Sequence, residues 1–168
     1  MYIKLHFHRG FTLVELLAVI VIIGVLGAVA LPKFVDLRKD SYHAAVATTA
    51  SALQSSISIS QELCVVRSWA GKDNLPGFGS NNVDFNKNCL PSDTNGSNVL
   101  TANAARCMRI FQGVLSTSYI INTSVASNPD FQSTVSAGIC RYTFRRDSVT
   151  RRFDYNPGTG QELNLVNP

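Results

Sequence analysis

Apolar residues run almost unbroken from Phe11 to Leu31, and in those 21 positions only Thr12 and Glu15 are clearly polar. A run of that length predicts a helix of about 31 Å, enough to cross a bilayer. After Pro32 the pattern changes but does not stop. Phe34, Leu37, Ala45, Val46, Leu53 and Ile57 recur at three- and four-residue steps in an Ala- and Ser-rich stretch from Lys33 to about Val66. That spacing predicts that the same helix continues with one apolar face, kinked rather than ended at Pro32. The first half has no polar face, whereas the second half can pack against a domain.

Residues 71–98 are dense in Gly, Asn, Asp and Pro and predict a loop that contains Cys89. A short helix is expected over 101–115, capped by Thr101, with Cys107, Phe111 and Val114 or Leu115 on one side. From Ser118 the period becomes two, and antiparallel strands are expected over 118–166. Tyr119 to Ile121 is a short candidate. Ile139 to Arg145 alternates, with Cys140, Tyr142 and Phe144 on one face. Val149 to Tyr155 follows, with Val149, Phe153 and Tyr155 on one face. The turn Asn156-Pro157-Gly158-Thr159-Gly160 leads into a last strand, Gln161 to Val166. A long helix followed by a short helix and an antiparallel meander is an α+β arrangement.

Glu15 is the most informative residue. A carboxylate within an apolar span costs about 2–3 kcal/mol near its centre and less near its end, so an ionisable residue there is a functional candidate. It stands in Gly10-Phe11-Thr12-Leu13-Val14-Glu15-Leu16, between a short basic head and the apolar run. This stretch resembles the amino terminus of bacterial type IV prepilins and the related secretion pseudopilins. The resemblance is specific over Arg9 to Pro32 and loose beyond.

The resemblance implies a pilin fold and a set of roles. Residues 1–10 would be a leader, 11–32 a transmembrane or filament-core helix, and 33–168 the globular domain. A prepilin peptidase of the inner membrane would cut between Gly10 and Phe11 and methylate the new amine of Phe11. Glu15 would pair with the terminal amine of a neighbouring subunit during assembly. Physical chemistry points the same way: an amine and a carboxylate near hydrocarbon attract, and stranding one of them typically costs about 3–5 kcal/mol. Whether Glu15 pairs within its own chain or across chains is left open by the residues. The partners implied are identical or related pilin subunits, the peptidase, and the inner-membrane assembly machinery. The precursor would sit in the inner membrane with its carboxyl-terminal domain in the periplasm, and the product in an extracellular pilus used for adhesion.

Two plainer readings compete. Ala28-Val29-Ala30 resembles the cleavage site of a secretory signal, but the apolar region is longer than the usual 7–15 residues and contains a glutamate. A simple membrane anchor would leave Glu15 incidental. Flanking charge does not orient the span, because Lys4 and Arg9 precede it while Lys33, Arg38 and Lys39 follow, offset in part by Asp36 and Asp40.

The formal charge is +4, and without Lys4 and Arg9 it is +2, too mild to imply nucleic acid. The four cysteines, Cys64, Cys89, Cys107 and Cys140, form no C-x-x-C and have no neighbouring His, so zinc is not expected. An even number in an exported domain suggests disulfides. Of three pairings, Cys107–Cys140 and Cys64–Cys89 are favoured. The order of Cys107, Cys140 to Phe144 and Phe153 to Gly160 further resembles the mannose-sensitive haemagglutinin-type pilins. The pair Cys64 and Cys89 and the 71–98 loop do not match that branch and suggest a minor subunit.

Arg141, Arg145, Arg146, Arg151 and Arg152 fall within twelve residues, with Asp147 and Asp154 as the nearby acids. They are a candidate anion-binding patch. A solvated strand face or subunit contact accounts for them more economically than nucleic acid. Tyr142, Phe144, Phe153 and Tyr155 are read as core, and Trp69 as a lid on it. Pro91, Asp93, Asn95 and Gly96 mimic part of an EF-hand frame, but the first and twelfth ligands are missing. No nucleophile elbow or phosphate loop occurs, so no enzymatic activity and no cofactor are expected. The expected function is structural, with a type II secretion pseudopilin or a DNA-binding minor pilin as the alternatives.

Overall fold

The computed structural model describes residues 11–97 and 102–167. It has an α+β architecture whose elements are a long helix α1 (Leu13–Val66), strands β1 (Asp84–Phe85) and β2 (Pro91–Asp93), and helix α2 (Ala104–Val114). Strands β3 (Ile121–Asn122), β4 (Phe131–Ser136), β5 (Ile139–Phe144), β6 (Arg151–Asn156) and β7 (Gln161–Val166) follow. The chain divides into two compact units, one ending at Asp40 and one from Ser41 onward.

In the first unit α1 is a bare helix. It continues as helix through Pro32. Its apolar side chains face outward on all sides, from Leu13 and Val14 through Ile23 to Leu31. Phe34 and Leu37, expected on the core-facing stripe, are also exposed. They precede Ser41 and so belong to the bare unit rather than to the domain.

In the second unit α1 becomes one-sided. Val46, Ala50, Leu53, Ile57 and Cys64 are buried at helical spacing. The many hydroxyls in this stretch do not break the helix. Thr48, Thr49, Ser55 and Ser58 each donate to the carbonyl four residues back, and Ser60 to the one three back. Helix α2 begins later than expected: Asn103, not Thr101, is its cap, and Asn103 Oδ1 accepts from Arg106 N at 2.8 Å. Thr101 and Asn98 lie outside the described residues.

The main sheet has the order β3-β4-β5-β6-β7. It is antiparallel except that β3 runs parallel to β4. The strand expected at Tyr119–Ile121 is thus shifted to Ile121–Asn122, and β4 fills an interval to which the alternation assigns no strand. The core lies on one face of this sheet. The rings of Phe111, Phe131, Tyr142, Phe144 and Phe153 meet tilted or edge-on with centroids 5.2–5.9 Å apart. Tyr142 Oη donates to the carbonyl of Cys107 at 2.8 Å, which satisfies a buried hydroxyl. Val149 stands apart from the core face to which the alternation assigns it. It is in the bend before β6 and 39% exposed.

The 71–98 interval is not a plain loop. It contains the β1–β2 ladder and buries Leu75, Val83, Phe85 and Leu90. Leu90 sits against the β6–β7 turn, where Gly160 has φ 75° and an added Cβ would fall 2.4 Å from the Leu90 side chain. Only glycine fits there. Gln54 Nε2 donates to Gly160 O at 3.1 Å, so α1, the loop and the last hairpin meet at one point.

Candidate functional site

Three groups of residues are the candidate carriers of function: the helix start, the cysteines and the arginine cluster. At the start of α1, Gly10 lies outside the described residues. Phe11 is the first described residue and is 83% exposed. Thr12 precedes the helix and Glu15 sits in its first turn. Their contacts are reciprocal. Glu15 N donates to Thr12 Oγ1 at 3.2 Å, and Thr12 N donates back to Glu15 Oε2 at 3.4 Å. Thr12 Oγ1 is also 3.5 Å from Oε2. This is a capping box. Its T-x-x-E spacing stands in Thr12-Leu13-Val14-Glu15, where the cost of burying the charge is the more conspicuous signal and hides it.

The capping box decides what Glu15 can do. Its carboxylate is folded back over the first turn, where the exposed amides and the helix dipole favour negative charge. The bonds engage Oε2. The carboxylate therefore lies close to the Phe11–Thr12 peptide, while its other oxygen, Oε1, accepts from no donor among the described residues. The 19 residues Leu13–Leu31 form a helix long and apolar enough to cross a membrane.

The cysteines form two disulfides, Cys64–Cys89 and Cys107–Cys140. The first joins the last turns of α1 to the loop before β2. The second joins α2 to β5. Each stabilises by about 2–4 kcal/mol, chiefly by restricting the unfolded chain.

The arginine cluster is divided by the sheet. Arg141 and Asp154 are paired across β5 and β6, with Nε and Nη2 donating to the two carboxylate oxygens at 2.9 and 3.0 Å. Arg151 Nε donates to Asp147 at 2.6 Å. Arg146 Nε donates to Asp130 at 2.6 Å, and the same guanidinium reaches Asn128. Asp130 is not among the acids near the cluster in sequence, because it is sixteen residues distant and arrives through β4. Hydrogen bonding from Arg151 holds the Asp147 carboxyl below its ordinary range. Burial raises Asp130 most, but the Arg146 hydrogen bond, the Ile120 N–H and the Arg146 charge together outweigh it and the carboxyl is lowered. Arg145 and Arg152 have no carboxylate partner among the described residues. Arg152 Nε is shielded from water and finds no acceptor.

A further cluster escapes the sequence pattern. Asp93 is buried and receives Arg106 Nε at 2.9 Å and Arg109 Nε at 2.5 Å. Burial raises its pKa, yet the bonds from Arg109, Thr94 N and Arg106 prevail and leave it lowered. This pins β2 to α2. The i, i+3 spacing of Arg106 and Arg109 is legible in the sequence, but their common partner is not. Trp69 is half-buried against the core, and its Nε1 donates to Asp73 O at 3.0 Å, as suits a lid.

Comparison with known proteins gives a match at the helix start and a partial match to one relative. Residues 6–31 match the family model described as the prokaryotic N-terminal methylation motif. Over 51 residues the chain is 53% identical to the type IV narrow pilus major component PilA5 of Thermus thermophilus. That alignment covers 30% of this chain and 44% of the relative, so the chain spans under half of that relative's length. No solved structure matches.

Proposed function

From an amino terminus and an α+β architecture that support the type IV pilin family, we propose that this chain is a filament subunit, cut between Gly10 and Phe11, methylated on the Phe11 amine and assembled through its apolar helix into a surface pilus. The observation that carries the proposal is the Thr12–Glu15 capping box at the head of a helix that is apolar and exposed on every side. Cleavage after Gly10 creates an amine one residue from Thr12. Oε1 of Glu15 is then available to the amine of an adjacent copy, while Oε2 stays on its own helix. A cation and an anion meeting among apolar helices fix axial register, and the surrounding aliphatic side chains supply adhesion. The same helix holds the precursor in the inner membrane, with the disulfide-bonded domain in the oxidising periplasm. Prepilin peptidase and the pilus assembly machinery are the partners this reading requires, and adhesion is the use it assigns to the fibre.

The test is in two parts. Intact mass and amino-terminal sequencing of shed filaments should give a chain that begins at methylated Phe11. A start at Leu31 would instead mark a secretory signal and end the pilin reading. Glu15→Val should leave the precursor in the membrane and abolish its entry into filaments, and Glu15→Gln should impair entry by removing charge alone. Wild-type filament yield from both variants would refute the pairing.

A further inference from the structure

Within the Ser41–Pro168 unit, five arginines have a carboxylate partner: Arg106, Arg109, Arg141, Arg146 and Arg151. Arg67 donates to the carbonyl of Pro76 instead. Arg145 and Arg152 have no carboxylate among the described residues. Register places Arg152 opposite Thr143, on the sheet face away from the aromatic core and beside the neutralised Arg141–Asp154 pair. Arg145 follows β5 by one residue, and its backbone N–H is held by Asp130 O at 2.8 Å. Arg152 and Arg145 thus belong to the outer side and the end of one hairpin. Arg145 is exposed and Arg152 half-buried, so both side chains are accessible in part from outside the chain.

The opposite charge is available on a different surface of the same unit. Glu62 is exposed on α1 and has no cationic partner among the described residues. It is flanked by Ile59, Val65 and Val66, which are 53%, 63% and 81% exposed. An acid within an apolar surround can exclude water when it docks, which strengthens an ion pair.

We infer that Glu62 and its apolar surround on one copy dock on Arg145 and Arg152 of the next copy. The two surfaces differ, so the contact is heterologous, and repetition of such a contact builds an open helical polymer rather than a closed dimer. This inference rests on the filament reading and adds a second, domain-level contact to the one at Glu15.

Charge exchange in the full-length chain tests it. Arg145→Glu with Arg152→Glu should abolish filaments, as should Glu62→Arg alone, because each brings like charges together. The triple variant should recover them. The melting temperature of each chain in detergent checks that the domain is intact. Independently, a chain with Glu62→Cys and Arg145→Cys should form an intermolecular disulfide ladder within assembled filaments. Filaments that assemble normally from the double arginine variant, or that contain both cysteines and show no ladder, would overturn this contact and leave the pilin reading standing. Absence of filaments from the wild-type chain would remove the reading itself.

Discussion

Residues 11–40 and residues 41–167 obey opposite rules with similar material. In the first region Leu, Val and Ile fill a helix and every one that is described remains exposed. In the second, Val46, Leu53 and Ile57 lie on the same continuous helix and are buried. What differs is what else the chain supplies. From Ser41 onward a sheet, a second helix and two disulfides provide the other wall of a core. Before Ser41 the described large apolar side chains are exposed, a surface suited to lipid or to other helices. A helix need not be amphipathic to be stable if its surroundings are not water.

The sharpest way to break this contrast is to remove a large side chain from each region. Phe153→Ala should lower the stability of the domain by about 3–5 kcal/mol, read as a fall in denaturation midpoint of the full chain in detergent. Ile22→Ala should leave that midpoint unchanged. Equal effects would show that the first region contributes to the core.

Next in size is the covalent staple. Cys107→Ser with Cys140→Ser should cost about 2–5 kcal/mol, since the bond joins α2 to β5 beneath the buried rings. Thermal unfolding with and without reductant measures it.

Acid should destabilise the second region through three aspartates. Asp93, Asp130 and Asp147 are all lowered in the folded chain. Their folded values lie below the unfolded ones, so their stabilisation is fully present above the ordinary aspartate value of about 3.9 and is lost as pH falls through the folded values. The midpoint should hold at neutral pH and drop below about pH 4. Asp93→Asn should flatten that drop. The smallest effect belongs to the first region: Thr12→Ala removes half of the capping box and should weaken the first turn by about 0.5–2 kcal/mol, seen as faster amide exchange at residues 13–16 with no change in the domain.

Elements with strong periodicity are legible from sequence. The long helix, α2 and the β5–β6 pair follow from spacing, and the motif around Glu15 is legible as chemistry. What escapes depends on contacts between distant segments. Strand β4 has only Phe131, Ser133 and Val135 on its inward side, and a serine among them blurs the alternation. Its hydroxyl is nonetheless buried, donating to Ala104 O at 2.9 Å. Parallel pairing of β3 with β4 has no local signature. Asp93 resembles a fragment of a cation loop in sequence, whereas in the fold Arg106 and Arg109 occupy it. The arginine cluster reads as a single positive field because Asp130 is remote in sequence, and folding leaves only two of its five members without a carboxylate partner among the described residues.

The bond between Cys64 and Cys89 has a mechanical consequence. It lies two residues from the end of α1, at Val66, and links positions 25 apart in sequence. A pull that lifts α1 away from the core at its Ser41 end peels its noncovalent contacts one after another. From Ser41 such peeling can advance through Val46, Leu53 and Ile57, but at Cys64 it meets a covalent stop. The load then passes from Cys64 directly to Cys89 and on toward Leu90, so residues 65–88 are bypassed and cannot be drawn out.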